Sequence, residues 1–405
     1  GVSNHDHGVN GLEFDNNGDL YITSGSNTNA GIIDSSIGGI DESPFTAAIL
    51  KAEITKPDFN GNIEYALIDP SDLPQPVPQE FLDSLPDEIF NPPGDLPFDP
   101  ATSQFWGGYV DVVPGVDVSV YASGLRNPYD QVFTTTGKLY ATENNANGGF
   151  GDVSLGPYTQ QPFGQQQPEE LNLITEGAYF GSPNRNRGRT DPRQNIYFES
   201  PVDLPAEGYT APIGTFDGST NGITEYRATT FDSQLRGNLL AQRFGAKKQL
   251  YSIDLSANGE QVDSIVDLNK VAEDNLTGDN NFVANGLDVI TGPGGAILGI
   301  DFNPDEIHVA IPVDPTVVDP TAYDICPWRA PAQSGADFII GGVNFDDLAP
   351  GGANPTLDLD DVQVFIGNQE ATTDEAIITG ISDKRIQGIL PDLSSQPNQL
   401  LDLFI

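Results

Sequence analysis

The chain has 405 residues, in which 59 Asp and Glu stand against 17 Lys and Arg, so the formal net charge is −42. A negative field of this size repels nucleic acid and anionic membrane surfaces, and neither is expected as a partner. Because no apolar run reaches the ~18 residues that a membrane span needs, membrane insertion is not expected either. The acidic residues are spread along the whole chain, which predicts a solvated acidic surface typical of a secreted, extracellular protein.

The single cysteine, Cys326, excludes an internal disulfide framework. We interpret it as a buried small hydrophobe in preference to a half-cystine whose partner lies in another chain. The chain contains no methionine, and Gly1 opens it without a signal-peptide pattern. The expectation is therefore that the numbering begins inside a longer precursor.

Short strands with period-2 alternation, bounded by Gly, Asn and Asp, are predicted through the first three quarters of the chain. A loose theme of an apolar strand, a Gly-containing turn and a second apolar strand recurs in four segments, at 11–25, 127–143, 230–243 and 286–302. A repeated unit of this kind is typical of the blades of a β-propeller. The sequence predicts an all-β fold.

Two segments interrupt this rhythm and a third ends it. Residues 68–108 are dense in Pro and Asp, which predicts an inserted surface loop with at most a short helix near 79–84. The Gln-rich stretch at 160–168 is a polar low-complexity insert. The Pro-rich residues 316–331 are predicted to be a linker between domains.

The last part of the chain, 332–405, changes character. Apolar strands with Gly turns are predicted at 332–345, 362–367 and 385–391. In order and spacing these segments resemble an IPT/TIG domain, an immunoglobulin-like β-sandwich. Such modules bind partners or space domains and do not catalyse.

Three motifs in the first part of the chain carry a second resemblance. They are DH at 6–7 ahead of GLEF at 11–14, GLRNP at 124–128 and EELNLI at 169–174. In this order they resemble the soluble quinoprotein glucose/sorbosone dehydrogenases, which are six-bladed β-propellers that oxidise sugars with pyrroloquinoline quinone (PQQ) and calcium. The resemblance covers residues 1–315.

Four blade-like repeats are fewer than the six blades that the resemblance implies. The N-terminal blades are therefore expected to be missing from this chain. An open propeller would leave an unpaired strand edge, which folded proteins avoid. The expected partner is the missing N-terminal propeller segment or a neighbouring copy.

Sugar oxidation needs a base for the hydroxyl proton, and histidine suits that role because its pKa lies near working pH. By resemblance His7 is this base and Asp6 its neighbour, while Arg126 and Asn127 face the quinone and the sugar. A cation and an amide suit a quinone oxyanion. The alternatives are that His7 is an ordinary loop histidine and that Arg126 pairs with a nearby carboxylate.

The resemblance also implies a calcium loop. It falls on Glu143, Asn144, Asn145 and Ala146, where backbone carbonyls would bind the ion. The usual Gly-Pro of this loop is replaced by Asn145 and Ala146. Side-chain oxygens of Glu143 and Asn144 could add further ligands.

The cofactor clamp is where the chain departs from the family pattern. Two arginines that hold the carboxylates of the quinone would align with Asn285 and Leu287. A supporting lysine could be replaced by Arg243 or Lys247, but only with a shift of register. Without this clamp a tricarboxylate lacks charge compensation in so acidic a protein.

Two functions remain open from the sequence. The first is a catalytically degenerate, extracellular propeller that serves as a binding or assembly module, with carbohydrate as a conceivable ligand. The alternative is an active, PQQ- and calcium-dependent aldose or alcohol dehydrogenase with His7 as general base. A cation from elsewhere in the chain that points at the pocket beside His7 would favour the enzyme.

Overall fold

The computed structural model of the chain describes residues 7–31, 39–40, 42–67, 110–113, 116–147, 167–184, 187, 191–195, 208–245, 249–269, 285–302, 305–310, 319–331, 335–345, 363–367, 374–394 and 402–404. The predicted insert 68–108, with its predicted short helix, lies outside these residues, as do Asp6 and Lys247. In the part of the chain that is described, no helix is long and apolar enough to cross a membrane.

The first part of the chain forms the strands β1 Val9–Phe14, β2 Leu20–Ser24, β3 Ala48–Ala52, β4 Tyr65–Leu67, β5 Val110–Val112, β6 Val118–Ser123, β7 Pro128–Phe133, β8 Leu139–Glu143, β9 Glu169–Ile174, β10 Gly214–Phe216, β11 Thr220–Glu225, β12 Leu239–Arg243, β13 Leu250–Leu255, β14 Val262–Asp267, β15 Gly286–Thr291, β16 Ile297–Asp301 and β17 Glu306–Ala310. The last part forms β18 Thr321–Cys326, β19 Asp337–Val343, β20 Phe365–Gly367, β21 Asp374–Glu375, β22 Ile377–Ser382, β23 Arg385–Ile389 and β24 Asp402–Phe404. Short 3-10 turns lie at Pro192–Asn195, Phe231–Ser233 and Pro293–Gly295.

Antiparallel sheets account for the first part of the chain. We name them blade 1 (β1-β2-β3-β6), blade 2 (β10-β9-β8-β7), blade 3 (β11-β12-β13-β14) and blade 4 (β15-β16-β17), in the strand orders given. The short strands β4 and β5 pair with each other as a separate ladder. The all-β prediction is confirmed, and four-stranded antiparallel sheets are those of a β-propeller.

The chain divides into two compact units. The first unit comprises Gly1–Ile223, Arg243–Gly245 and Ser256–Val262. The second unit comprises Thr224–Gln242, Ala246–Leu255 and Asp263–Ile405. In the first unit, blades 1 and 2 pack through a common apolar core that includes Tyr21, Ile49, Leu125, Phe133 and Leu139. The rings of Tyr21 and Phe133 meet edge to face at 4.9 Å. Burial of such side chains stabilises each by about 1.5–3 kcal/mol.

The edge strands β1 of blade 1 and β7 of blade 2 approach each other closely. A Cβ on Gly11 of β1 would lie 2.8 Å from Asp130 Oδ1 of β7, so only glycine fits there. On its other side, Asp130 Oδ2 accepts a hydrogen bond of 3.0 Å from the backbone N–H of Ile223 in β11. These contacts hold β1, β7 and the part of β11 in the first unit close together.

One of the four predicted repeats is wrong in its first half. The sequence predicts two strands in residues 230–243, but only β12 is a strand, and Phe231–Ser233 forms a 3-10 turn. Phe231 and Ser233 have φ angles of 55° and 59°, which a β-strand cannot accommodate. The first strand of blade 3 is the earlier β11. The apolar pattern did not predict it, because its sequence is mostly polar.

In the second unit, β19 and β23 belong to one four-stranded sheet, β18-β19-β23-β22, and β20 belongs to a second sheet, β21-β20-β24. Side chains from both sheets share one core, which contains Phe338, Ile340, Ile366 and Ile386. Strands are thus confirmed in all three predicted segments, whereas the IPT/TIG assignment stays a prediction.

The predicted linker 316–331 contains β18. Cys326 at the end of β18 is exposed and free, so its interpretation as a buried hydrophobe is wrong.

Blades 1 and 4 each expose apolar side chains. In blade 1, Leu12 and Phe14 are 59% and 50% exposed, and they share a face because they pair with Ile22 and Leu20. In blade 4 the exposed apolar residues are Ile290, Ile300, Phe302, Ile307 and Val309. Rows of exposed apolar side chains on a sheet are typical of interaction surfaces.

Candidate functional site

His7 lies just ahead of β1, and it is 3% exposed. Its Nδ1 is 3.2 Å from the carbonyl oxygen of Ser26 and 3.4 Å from Ser26 Oγ. Because a carbonyl oxygen can only accept, Nδ1 carries the hydrogen in that contact. The neutral ring then has its lone pair on Nε2, which is the tautomer that a general base at Nε2 requires.

Asn127 lies close to His7 at Gly25, the residue that follows β2. A Cβ on Gly25 would lie 2.8 Å from His7 Cβ and 2.9 Å from Asn127 Oδ1, so no larger residue fits between them. Asn127 Oδ1 is buried and accepts no hydrogen bond from the described residues. A buried acceptor without a donor is costly, and a ligand donor would satisfy it.

Arg126 precedes Asn127, and its side chain turns into the protein. It is 2% exposed, and its Nη1 donates to the carbonyl oxygens of Asn144 at 3.1 Å and Asn145 at 2.9 Å. Its backbone N–H donates to Glu143 Oε1 at 2.5 Å, and its carbonyl accepts from the N–H of Ser26 at 2.6 Å. Arg126 therefore joins the loop after β2 to the loop after β8.

The loop after β8, residues 143–146, is held by side chains from blade 2. The backbone N–H of Asn145 donates to Glu169 Oε2 at 2.5 Å, and Asn145 Nδ2 donates to Glu170 Oε1 at 3.1 Å. Asn172 Nδ2 donates to Glu143 Oε2 at 2.9 Å. The prediction that the strand at 169–174 positions this loop is confirmed.

Blade 3 holds the same loop from its other side through residues at the start of β11. Asn144 Nδ2 donates to Asn221 Oδ1 at 3.0 Å, and Asn144 Oδ1 accepts from the N–H of Thr220 at 3.1 Å. The carbonyl of Ala146 accepts from the N–H of Gln167 at 3.0 Å. Both polar atoms of the Asn144 side-chain amide are thus hydrogen-bonded within the protein.

Three buried carboxyl groups, those of Glu143, Glu169 and Glu170, surround this loop. Burial raises the pKa of Glu143 well above its usual value, and the charge of Glu170 raises it further, whereas Arg126 lowers it. Burial raises the pKa of Glu170 to about 7, and the charge of Glu169 adds to the rise. The hydrogen bonds from Asn172 and Asn145 lower this pKa but do not offset the effect of burial. Burial together with the charges of Glu170 and Glu143 also raises the pKa of Tyr209.

As it stands, the loop does not fit a calcium ion. The carbonyls of Asn144 and Asn145 face a guanidinium, and the oxygens of Glu143 and Asn144 accept hydrogen bonds from the protein. A cation on the same carbonyls would be repelled by Arg126, and even two unit charges about 4 Å apart repel by about 4 kcal/mol at an effective dielectric constant of about 20. Within the described residues no group of three or more His, Cys, Asp or Glu could hold a metal ion.

The two described arginines at the predicted cofactor positions donate hydrogen bonds to backbone carbonyls. Arg126 is occupied with loop carbonyls, and Arg243 at the end of β12 donates from Nη2 to the carbonyl of Asp217 at 3.2 Å. Asn285, at the position expected for a clamping arginine, donates its N–H to Asp301 Oδ1 at 3.3 Å and accepts from the N–H of Phe302. The buried carboxyl groups of Glu143 and Glu170 provide no positive charge for a tricarboxylate.

The sequence had indicated His7, Asn127, Arg126 and residues 143–146, and the structure brings these together in the first unit. It had not indicated Ser26, Thr220 or Asn221, and it indicated Glu169, Glu170 and Asn172 only as part of a strand that positions the loop. Thr220 and Asn221 are polar residues at the start of a strand, which is the one sequence signal that could have indicated them as site residues. Polar residues are common at such positions, so the signal is weak. Their partners lie 76 and 77 residues away along the chain.

No family model and no curated protein matches the chain. Among solved structures it is similar to a glucose dehydrogenase, with 17% identity, a TM-score of 0.40 and coverage of 75% of this chain and 63% of that one. The PQQ-bound form of an aldose sugar dehydrogenase from Streptomyces coelicolor matches with 16% identity, a TM-score of 0.39 and coverage of 75% and 62%. A calcium structure of a carbohydrate-active enzyme of family AA12 from Trichoderma reesei matches with 13% identity, a TM-score of 0.38 and coverage of 76% and 69%.

The chain therefore spans 63% of the length of the glucose dehydrogenase and 62% of that of the aldose sugar dehydrogenase. Similarity at these identities and TM-scores carries no information about activity, cofactor or substrate.

Proposed function

We propose that this protein is a catalytically inactive, sugar-dehydrogenase-like propeller that serves outside the cell as a binding or assembly module. The observation that carries the proposal is the buried Arg126 guanidinium, which donates to two backbone carbonyls. By resemblance this arginine faces the quinone. Here it is part of the scaffold, so the cofactor lacks the cation that would bind its anionic groups.

The energetic argument has two parts. Losing one arginine partner of a buried anionic group costs about 2–5 kcal/mol, and Asn285 and Leu287 stand where two further arginines are expected. The buried carboxyl groups of Glu143 and Glu170, whose pKa values are raised by burial, offer the carboxylates of the quinone no positive charge. On this proposal, the affinity for the quinone is too low for the cofactor to be retained.

Calorimetric titration of the full chain with PQQ tests the proposal, once with calcium and once with a chelator. We expect no saturable heat in either titration and no quinone-dependent oxidation of glucose or other aldoses above background. Saturable binding with activity that His7→Ala abolishes would overturn it. Asn285→Ala serves as the matched control, because it alters a position where the clamping arginine is already replaced.

The active dehydrogenase is a second candidate that one observation favours. His7 and Asn127 lie side by side around Gly25, and Asn127 Oδ1 is buried without a donor from the described residues. If PQQ were bound there, it would supply the hydride acceptor, His7 would take the hydroxyl proton at Nε2, and Asn127 would orient the sugar. The activity assay and the His7→Ala variant separate the two candidates.

A further inference from the structure

Residues 143–146 form a loop whose carbonyl oxygens converge on one cation, and that cation belongs to the protein. Nη1 of Arg126 lies 3.1 Å from the carbonyl oxygen of Asn144 and 2.9 Å from that of Asn145. Two successive carbonyls directed at one positive centre are the arrangement that hard metal ions use in loop sites. We propose that the Arg126 guanidinium takes the place of a metal ion here, so that the loop folds without calcium.

Arg126 is held in place through its backbone as well as through its side chain. Its backbone N–H donates to Glu143 Oε1, its backbone carbonyl accepts from Ser26, and the residue is 2% exposed. A guanidinium remains protonated throughout the usual pH range and presents its donors in a fixed plane. Unlike a bound ion, it cannot dissociate or be removed by a chelator.

Other polar groups of the loop are hydrogen-bonded to side chains of the protein. Glu169 accepts from the N–H of Asn145, Glu170 accepts from Asn145 Nδ2, and Asn221 accepts from Asn144 Nδ2. The charge of Arg126 also acts favourably on the carboxyl group of Glu143. The arginine thus supplies both the positive charge and the directed contacts that calcium would have supplied.

This inference goes beyond the proposed function, because it concerns how the loop is held and not whether a quinone binds. A loop that needs no calcium is compatible with either an inactive or an active protein. The two proposals can therefore fail separately. Quinone binding in the presence of a chelator would overturn the first and leave the second intact.

Thermal unfolding of the full chain at constant ionic strength tests the inference, with calcium, with magnesium and with a chelator. We expect the melting temperature of the wild type to be the same in all three conditions. Arg126→Gln removes the charge and leaves the carbonyls in place. We expect a lower melting temperature for this variant, of which calcium restores at least half of the loss and magnesium less.

Two further variants isolate the cause. Arg126→Lys keeps the positive charge, so its melting temperature should not respond to calcium. Arg193→Gln removes a half-exposed arginine that pairs with Asp191, and it should respond as the wild type does. The inference is overturned if calcium raises or the chelator lowers the melting temperature of the wild type, or if Arg126→Gln folds and shows no response to calcium. Should no Arg126 variant fold, the wild-type comparison alone decides.

Discussion

At the residue scale, the buried glutamates around the loop should control how stability depends on pH. Burial raises the pKa of Glu170 to about 7 and that of Glu143 well above its usual value. A glutamate in an unfolded chain has a pKa of about 4.3, so the folded protein binds more protons between these values. The stability contributed by such groups is present in full below the unfolded pKa, and it is lost as the pH rises through the folded pKa.

We therefore expect the free energy of unfolding to fall between about pH 5 and about pH 8. Glu170→Gln keeps an acceptor for Asn145 Nδ2 without the titrating group, and it should flatten this decline. Denaturant unfolding at a series of pH values measures the slope. Glu53→Gln is the control, since Glu53 is more than a third exposed and pairs with Lys56, and its slope should match the wild type. An unchanged slope in Glu170→Gln would contradict the assignment.

At the element scale, Arg187 connects two segments of the first unit that are far apart in sequence. Its Nη1 donates to the carbonyls of Pro44 at 2.8 Å and Thr46 at 2.7 Å, and its Nη2 donates to Ala47 at 3.2 Å and to Gln194 Oε1 at 3.1 Å. Arg187 is almost completely buried, so these acceptors have little access to water. The arginine anchors the segment that leads into β3.

Arg187→Met should lower the free energy of unfolding by about 3 kcal/mol, because it leaves several buried carbonyls without a donor. Arg193→Met is a matched control on the neighbouring 3-10 turn. Arg193 pairs with Asp191 at 2.8 Å in a partly exposed position, and its loss should cost less than about 1 kcal/mol. Denaturant unfolding monitored by two probes gives both values. Equal losses in the two variants would refute the anchoring role of Arg187.

At the scale of the whole molecule, the exposed apolar side chains on blade 1 bear on the prediction that this chain has a partner. Leu12 and Phe14 lie on one face of β1, and both are at least half exposed. A propeller blade ordinarily covers both of its faces with neighbouring blades. We propose that a second copy of this chain or another protein covers this face.

We expect native material to contain this chain in a stable complex, as measured by native mass spectrometry and light scattering. Leu12→Lys combined with Phe14→Lys should weaken the complex at least tenfold, because a charge on a covered apolar face is costly. Ile377→Lys alters an equally exposed apolar residue on β22 and should leave the complex unchanged. A stable monomer at all concentrations, with no second fragment in native material, would argue against this view.

Much of the fold was predictable because local patterns determine strands. Alternating apolar residues and Gly turns correctly indicated β1 with β2, β7 with β8 and β15 with β16. The pattern failed at 230–243, where two residues adopt positive φ angles that no alternation reveals. It also missed β18, because its six residues stand among prolines that favour a linker.

The sequence alone determined which residues could form a site, and the tertiary structure decided what each of them does. The motif order placed His7, Arg126 and Asn127 at the ends of strands, which is a property of local sequence. Whether Arg126 faces a ligand or the carbonyls of Asn144 and Asn145 depends on contacts across 18 and 19 residues. Hydrogen bonds of this kind form only after the blades have packed and excluded water, so no local pattern encodes them.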